Sequence, residues 1–313
     1  MALGSHAAQL PAWAHRFAAM LQFGFIHMSN NSAKVLSNGE STLAMETRSQ
    51  ATTFGRAIED LRTGVLLWRV WSLLSIQDIR ARYRRSKFGQ LWMTISMGVT
   101  IVALGIVYSV LFRQDPATYL PYLAVGHVIW AFLAALIIDS STAFTGSSGY
   151  LQNSSLPKSI YILRVIGRNL IILGHNAILI PFVLLYAGLP ISWHLILLIP
   201  NMLLFIAFAF FAGLGIAILC TRFRDLPQII MNLMQVAFFL SPVIWKPEQL
   251  GGRVSAIVTW NPFSYLLDLL RSPLFNTAPA PETYAVVTLL VVASAAITLP
   301  LFSRFRARIV FWL

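Results

Sequence analysis

Long apolar segments alternate with short polar connections from residue 91 to the end of the chain. Six segments of about 20 residues contain no Asp, Glu, Lys or Arg, and a helix of that length and composition can cross a bilayer. They are Leu91–Phe112, Leu120–Ile138, Asn169–Gly188, Leu195–Thr221, Leu226–Trp245 and Ala285–Ser303. The pattern predicts an all-α polytopic membrane protein with six transmembrane helices within residues 91–313.

The composition agrees with a membrane protein. Hydrophobic residues make up 57% of the chain, charged residues 11%, and the mean hydropathy is +0.71. A soluble domain carries about 25% charged residues, so this chain has less than half the usual charge. Its one cysteine, Cys220, excludes an intrachain disulfide and a cysteine-clustered metal site.

The basic residues predict the orientation. The net charge is +12, and 19 of the 23 Lys and Arg residues lie in the N-terminal segment, the second and fourth connections and the C-terminus. Basic residues are retained on the cytoplasmic face, so we expect both termini to be cytoplasmic in a bacterial inner membrane. The charge is then expected at membrane faces, and nucleic acid is not predicted as a partner.

Residues 1–60 predict a disordered cytoplasmic extension. Residues 28–60 are rich in Ser, Asn, Thr and Gln and have few large apolar residues to bury. Met1–His27 is weakly apolar but is interrupted by His15 and Arg16, and it lacks the cleavage site of a signal peptide. Met28 is an alternative start of the protein.

Residues 61–90 predict an amphipathic helix followed by a basic cluster. Leu67, Val70, Trp71 and Leu74 follow helical spacing within Leu61–Ile79. Two interpretations are open: a helix lying in the membrane interface, or a helix packed against its own bundle.

Five basic residues within eight positions precede the first apolar segment: Arg80, Arg82, Arg84, Arg85 and Lys87. They are either an anchor to anionic lipid or a site for the anionic head group of a substrate that enters from the cytoplasmic leaflet.

Catalytic signatures are absent from the sequence. It has no Gly-x-x-x-x-Gly-Lys phosphate loop, no His-Glu-x-x-His and no Gly-x-Ser-x-Gly, and its six histidines are scattered. Ion-coupled carriers normally keep several ionisable groups within their spans, whereas this chain offers Asp139 at the cytoplasmic end of the second span and Arg164 and Arg168 near the start of the third. We favour an interfacial carboxylate for Asp139. The chain is predicted to be no enzyme and to hold no cofactor or metal.

The segment Lys246–Tyr284 is the longest connection between apolar segments. Within it, Asn261–Phe275 is apolar but too short to span a membrane, and it carries Asp268 and Arg271. It predicts a re-entrant or interfacial helix that closes the external mouth of the bundle.

Five motifs resemble those of a known family. They are the run Arg80–Trp92, Ser155–Lys158, Arg222–Leu226, Leu240–Trp245 and Trp260–Phe263. Over roughly Val65–Leu313 the chain resembles the polysaccharide export permeases of ABC transporters. These include the Wzm-like O-antigen exporters and the capsule and teichoic-acid exporters.

The resemblance implies partners and a mechanism. Such permeases are homodimers with six spans per protomer, and two cytoplasmic ATPase subunits bind ATP and Mg²⁺. Residues 147–160 would form the coupling helix, with Asn153, Leu156, Pro157 and Lys158 in contact with the ATPase. The helix before the first span would be a gate, and its basic cluster would receive the pyrophosphate of a polyprenyl-linked polysaccharide.

A polysaccharide channel would also need aromatic faces on which sugar rings can slide. Eight residues are candidates to line it: Tyr108, Phe112, Trp130, Phe132, Phe144, Phe238, Phe239 and Trp245. The alternative for each is an ordinary place in the core or in an interfacial aromatic belt.

Two other functions remain open from the sequence. An exporter of the same fold could carry a drug, haem or a simple lipid. An integral membrane glycosyl or acyl transferase would need converging acids or histidines, and Asp139 and Asp225 are isolated candidates.

Overall fold

A computed structural model describes residues 53–84, 89, 91–188, 190, 192–247, 256 and 258–313. Helices make up nearly all of this part of the chain, and no strand occurs among the described residues. The predicted all-α class is confirmed.

Twelve α-helices have defined bounds in the described residues. They are α1 Thr53–Leu66, α2 Trp68–Tyr83, α3 Leu91–Leu111, α4 Pro116–Ser141, α5 Ser148–Asn153, α6 Ser159–Ala177, α7 Leu179–Tyr186, α8 Leu198–Arg222, α9 Leu226–Leu240, α10 Pro262–Arg271, α11 Pro281–Phe305 and α12 Ile309–Trp312. Short 3₁₀ turns precede α5 and α8 and follow α10.

Five helical segments of the described chain are long and apolar enough to cross a membrane. They are Leu91–Leu111, Pro116–Ser141, Ser159–Tyr186, Trp193–Arg222 and Pro281–Phe305. The protein is therefore a multi-pass membrane protein.

The fifth predicted span, Leu226–Trp245, is helical only to Leu240. The 15 residues of α9 cover about 22 Å, less than the roughly 30 Å of a hydrocarbon core. Ser241 is extended because Pro242 disfavours helical geometry in the residue before it. The count of six spans stays a prediction.

Helix α4 lies at the centre of the bundle. It packs against α3, α6, α7, α8, α9 and α10. Helices α8 and α11 also pack closely, because Gly215 faces Thr298: a Cβ at Gly215 would lie 2.6 Å from Thr298 Oγ1. Small residues of this kind let apolar helices approach each other without a hydrophobic driving force.

Two helix boundaries differ from the sequence prediction. Helix α1 begins at Thr53, so residues 53–60 are helical, whereas the prediction of a disordered extension ran to residue 60. Helix α6 begins at Ser159, well before the predicted span start at Asn169. In both cases the charged residues have tertiary partners: Asp60 of α1 accepts backbone hydrogen bonds from Lys158 and Ser159, and Arg164 and Arg168 of α6 pair with Asp78 and Asp139. The rest of the predicted extension, residues 1–52, lies outside the described part of the chain.

The amphipathic segment consists of two helices that are separated at Leu67. The stripe Leu67, Val70, Trp71 and Leu74 is half-buried, and α2 packs against α6. Leu66, Trp68 and Leu73 are each more than half exposed. The segment thus has one face against the bundle and a second apolar face on its surface.

Candidate functional site

One face of the central helix α4 is open. Between Pro121 and Ser141 most residues are buried, and the partly exposed positions recur every three to five residues, singly or as adjacent pairs. They are Tyr122, His127, Ala131, Ala134, Ala135, Ile138 and Asp139. Positions with this spacing lie on one side of a helix. The open face is narrow, and small side chains occupy its middle.

The first of two grooves along this face lies between α4 and α6 and has a volume of about 450 Å³. We call it the α4–α6 groove. Its walls come from the end of α2 and from α3, α4 and α6: Arg82, Tyr83, Trp92, Met93, Ser96, Met97, Thr100, His127, Ala131, Ala135, Asp139, Asn169, Ile172 and Asn176. His127 Nδ1 and Asn176 Oδ1 are buried atoms without a hydrogen-bond partner. The groove is therefore lined by polar residues, His127, Asn169 and Asn176, as well as by the basic side chain of Arg82.

The second groove lies between α4 and α9 and has a volume of about 560 Å³. We call it the α4–α9 groove. It is lined by His127, Trp130, Ala134, Ile138, Met231, Met234, Gln235, Phe238 and Phe239. Trp130 and Phe238 have ring centroids 5.8 Å apart, and Phe238 lies 5.9 Å from His127. His127 borders both grooves, so they meet on the open face of α4.

The structure brings together three of the eight predicted channel aromatics, Trp130, Phe238 and Phe239, in the α4–α9 groove. Phe132 stacks on Phe205 at 5.4 Å. Phe144 meets Tyr161 edge to face. Because Phe132 and Phe144 are buried, they belong to the core packing of the protomer, and neither lines the two grooves.

The remaining three aromatics lie elsewhere. Tyr108 and Phe112 stack on each other at 5.6 Å near the end of α3. Trp245 donates its Nε1–H to the Phe239 carbonyl at 3.0 Å. These contacts give each ring a packing role in the protomer.

The basic cluster begins in the last turn of α2. Arg80, Arg82 and Arg84 are exposed, and Arg82 lines the α4–α6 groove. Arg85 and Lys87 lie outside the described residues. The structure thus separates the cluster into a residue at the groove and at least one neighbour, Arg80, on the outer side.

Two arginines inside α6 are neutralised by acids from two other helices. Asp78 of α2 accepts hydrogen bonds from Arg164 Nε at 2.8 Å and from Arg164 Nη2, in a bidentate pair. Arg168 bridges Asp78 at 3.3 Å and Asp139 at 2.8 Å. Asn169 Nδ2 donates to the same Asp139 oxygen at 2.9 Å. Charges that would be costly near the membrane are therefore paired, and α6 can extend to Ser159.

This network fixes α2 and α4 to α6 at the wall of the α4–α6 groove. Ser75 Oγ also lies 2.9 Å from the Arg164 carbonyl, and Gly167 allows the approach, since a Cβ there would lie 2.6 Å from Ser75 Oγ. Sequence reasoning placed Asp139 at an interface but missed its pairing with Arg168, and it gave Asp78 no role. Asp78 lies about ninety positions before Arg164 and Arg168 in the sequence, and local residue spacing does not indicate an ion pair at such a separation.

The predicted coupling residues lie around α5 and the extended segment after it. Asn153 is exposed, and its Nδ2 donates to the Gly149 carbonyl at 2.9 Å. Leu156, Pro157 and Lys158 are half-buried. Burial lowers the pKa of the Lys158 amine, an effect that nearby Asp60 opposes.

The two motifs at the opposite end of the bundle are joined to each other. Asn261 donates from Nδ2 to the Leu240 carbonyl at 3.2 Å and to Ser241 Oγ at 2.9 Å. Its Oδ1 accepts the Phe263 backbone N–H at 3.0 Å and so caps α10. One side chain thus ends the α9 segment and begins the short predicted re-entrant helix.

The turn after α9 is also bound by α4 and α10. Tyr119 donates to the Ile244 carbonyl at 2.6 Å, and Tyr122 donates to the Pro242 carbonyl at 3.0 Å. Arg271 Nη1 donates to the same Pro242 carbonyl at 2.7 Å, with its guanidinium 4.2 Å from the Tyr122 ring centroid. Helix α10 is largely buried and closes this end of the bundle.

Comparison with known proteins identifies the family of a chain with this geometry. Residues 69–275, more than half of the chain, match the model of the family described as ABC-2 type transporter. The chain belongs to the ABC-2 type transporter family. This confirms the resemblance noted in the sequence.

Similar curated proteins are permeases. An O-antigen export system permease protein RfbA of Klebsiella pneumoniae is 20% identical over 239 residues, which cover 75% of this ABC-2 chain and 92% of the relative. A second RfbA from the same organism is 21% identical over the same share. An RfbA of Myxococcus xanthus is 25% identical over 174 residues, covering 54% of this chain and 65% of the relative.

The family match contains both grooves and both joined motifs of this ABC-2 transporter chain. Helix α1 precedes it, and α11 and α12 follow it. The protein is a membrane subunit of a transporter, and its relatives are named for O-antigen export.

Proposed function

We propose that the chain is the channel-forming subunit of an ATP-driven exporter that moves a lipid-linked polysaccharide, an O-antigen or a similar glycan, across the inner membrane. It acts as a homodimer with two copies of a cytoplasmic ATPase. The open face of α4 with its two grooves is the observation that carries this proposal.

The side chains of that face suit a sugar chain. Ala131, Ala134 and Ala135 leave room beside the helix, while Phe238 and Phe239 offer aromatic surfaces at the α4–α9 groove. Aromatic rings bury large apolar areas, and the C–H faces of sugar rings can pack on them. Polar residues that line the α4–α6 groove, such as Thr100, His127 and Asn176, add groups that can hydrogen-bond to sugar hydroxyls.

A second copy of the chain would complete the path. Within a bilayer, polar cargo and unpaired polar groups must be separated from lipid. The open face of one protomer would form one wall of the channel. A second copy facing it would form the other wall and separate the path from lipid. The absence of a phosphate loop in the sequence agrees with ATP and Mg²⁺ binding on a separate subunit.

The function is tested by deletion and recovery. A strain that lacks the chain should lose its surface glycan, and the tagged chain purified from native membranes in mild detergent should recover an ATPase subunit in equal amounts. Normal surface glycan together with loss of drug or lipid efflux would favour the same fold with a small amphiphilic cargo. Recovery of a folded, dimeric chain without ATPase would contradict the proposal.

The role of Arg82 can be separated from lipid anchoring. Replacing Arg82 with Ala should lower export about fivefold, because a charge-assisted bond to a substrate phosphate contributes about 1 kcal/mol or more. Arg80→Ala is the matched control: both arginines are exposed, and Arg82 is the one that lines the α4–α6 groove. Surface glycan is measured against the amount of chain in the membrane. Equal losses in the two variants would indicate an electrostatic anchor to lipid.

The coupling segment is tested by charge reversal. Replacing Leu156 and Lys158 together with Asp should release the ATPase, since it puts two acids on a partly buried contact surface. We expect at least a fivefold fall in ATPase recovered per chain. Thr118→Asp, an exposed residue at the start of α4, serves as the control. Undiminished recovery would show that the contact lies elsewhere.

A further inference from the structure

Asp60 is a buried carboxylate that binds two other segments of the chain. It lies in α1, and its side chain is 2% exposed. Oδ2 accepts the backbone N–H of Lys158 at 3.0 Å, and Oδ1 accepts the backbone N–H of Ser159 at 3.0 Å. Arg306, directly after α11, donates from Nη1 to Oδ2 at 3.0 Å. We call Asp60, Lys158, Ser159 and Arg306 the Asp60 clasp.

The clasp caps a helix from a distance. Helix α6 has no hydrogen bond from a capping side chain of its own, so its first N–H groups need another acceptor. Asp60 supplies it from 99 positions earlier in the chain. A negative charge is also favoured at a helix N-terminus by the helix dipole, and Arg306 adds a positive charge on the other side.

Helix α1 is shaped to bring Asp60 to this place. Its buried residues are Ala57, Asp60 and Gly64, which lie on one face at intervals of three and four. The Ser159 hydroxyl donates to the Asp60 carbonyl at 2.8 Å. A Cβ at Gly64 would collide with Ser159 Oγ, so only glycine permits this approach. The buried face of α1 therefore extends over two turns of the helix, from Ala57 to Gly64, and Asp60 and Gly64 lie close to Ser159.

The clasp joins residues outside the family match to residues inside it. Asp60 and Arg306 lie outside the matched residues 69–275, whereas Lys158 and Ser159 lie inside them. Lys158 is also one of the four residues that we propose as ATPase contacts. If the ATPase displaces Leu156–Lys158, the movement is transmitted to α1 through the hydrogen bonds of the Lys158 and Ser159 backbone to Asp60. It is also transmitted to the end of α11, because Arg306 pairs with the same carboxylate.

We infer that Asp60 is a positioning residue for energy coupling: its carboxylate holds the segment that contacts the ATPase rigidly to α1 and to the end of α11, so that these elements move together during transport. The inference rests on the proposed function. It identifies α1, which precedes the family match, as part of the coupling machinery.

The test compares transport with ATP hydrolysis. The full chain is expressed with its ATPase in a deletion strain, surface carbohydrate is measured by phenol extraction, and the ATPase rate is measured on the complex purified from the same cells. Asp60→Asn keeps the shape of the side chain but loses its charge and half of its acceptors. Glu59→Gln, the same chemical change at the exposed neighbouring position, is the control.

We expect Asp60→Asn to retain the ATPase and its rate within about twofold while the ratio of glycan to hydrolysis falls about fivefold, the size of a typical coupling change. Gly64→Ala separates α1 from Ser159 without changing a charge and should lower the same ratio. Glu59→Gln should match the wild type.

Three outcomes would overturn the inference. The ratio could stay at the wild-type value in both Asp60→Asn and Gly64→Ala. Transport and hydrolysis could fall in parallel with the amount of folded chain, which would make the clasp purely structural. A wild-type chain that recruits no ATPase would overturn the proposed function and this inference together. If the wild-type chain exports glycan with its ATPase and both variants keep the same ratio of glycan to hydrolysis, only the inference is overturned.

Discussion

Phenylalanine in place of Ala135 should block export while the chain stays folded. Ala135 lies on the open face of α4 and lines the α4–α6 groove. The added ring projects into a groove of about 450 Å³, so the path is narrowed without overpacking a buried site. We expect surface glycan to fall at least about tenfold, because passage depends steeply on pore width.

The matched control for this block is Ala293→Phe. Ala293 is an exposed alanine in the middle of α11, so replacing it with Phe adds the same ring on a different surface of the bundle. Export is measured as surface glycan per chain in the membrane, and folding as a monodisperse peak in detergent. Equal export in the two variants would move the path away from the α4–α6 groove.

Alanine in place of Asp78 should loosen α2 from the bundle. Arg164 and Arg168 would lose a shared carboxylate while their side chains remain 15% and 18% exposed. Removing one partner of a largely buried ion pair costs about 3 kcal/mol. For a chain of this size we expect the melting temperature to fall by roughly 5 °C.

Asp225→Ala provides the comparison for Asp78→Ala, since Asp225 is an exposed acid. Melting is followed by intrinsic tryptophan fluorescence of the purified chain, and release of α2 by limited proteolysis. Exchanging the charges, with Asp78→Arg and Arg164→Asp together, should recover part of the loss. A melting temperature equal to that of Asp225→Ala would show that the network contributes little to stability.

Several features followed directly from the sequence because each depends on local composition or spacing. The apolar segments predicted the five long helices, and the half-buried stripe of α2 follows the predicted positions from Leu67 to Leu74. The resemblance to a known family already singles out the two motifs that contain Ser241 and Asn261, and in the structure a hydrogen bond joins these two residues. Three predicted aromatics, Trp130, Phe238 and Phe239, share one groove.

Other features depend on contacts between distant residues. Trp130 and Phe132 are two positions apart, yet one reaches a groove and the other stacks inside the core, because successive positions of a helix face different neighbours. The sequence predicted too long a helix for α9, because the apolar run continues through Pro242 to Trp245 while the helix ends at Leu240. The spacing of Ala57, Asp60 and Gly64 was a signal for the buried face of α1, but the polar composition around it predicted disorder.

The sequence by itself determined the class of this protein: an all-helical, multi-pass membrane subunit with an excess of basic residues and no phosphate loop. These properties are sums over the chain or short patterns, and they need no knowledge of neighbours. Only the tertiary structure decided that Asp78 neutralises α6, that Asp60 caps it, and that one face of α4 stays open. The physical reason is that a buried charge or an exposed alanine is defined by the groups across from it, and those come from residues many tens of positions away.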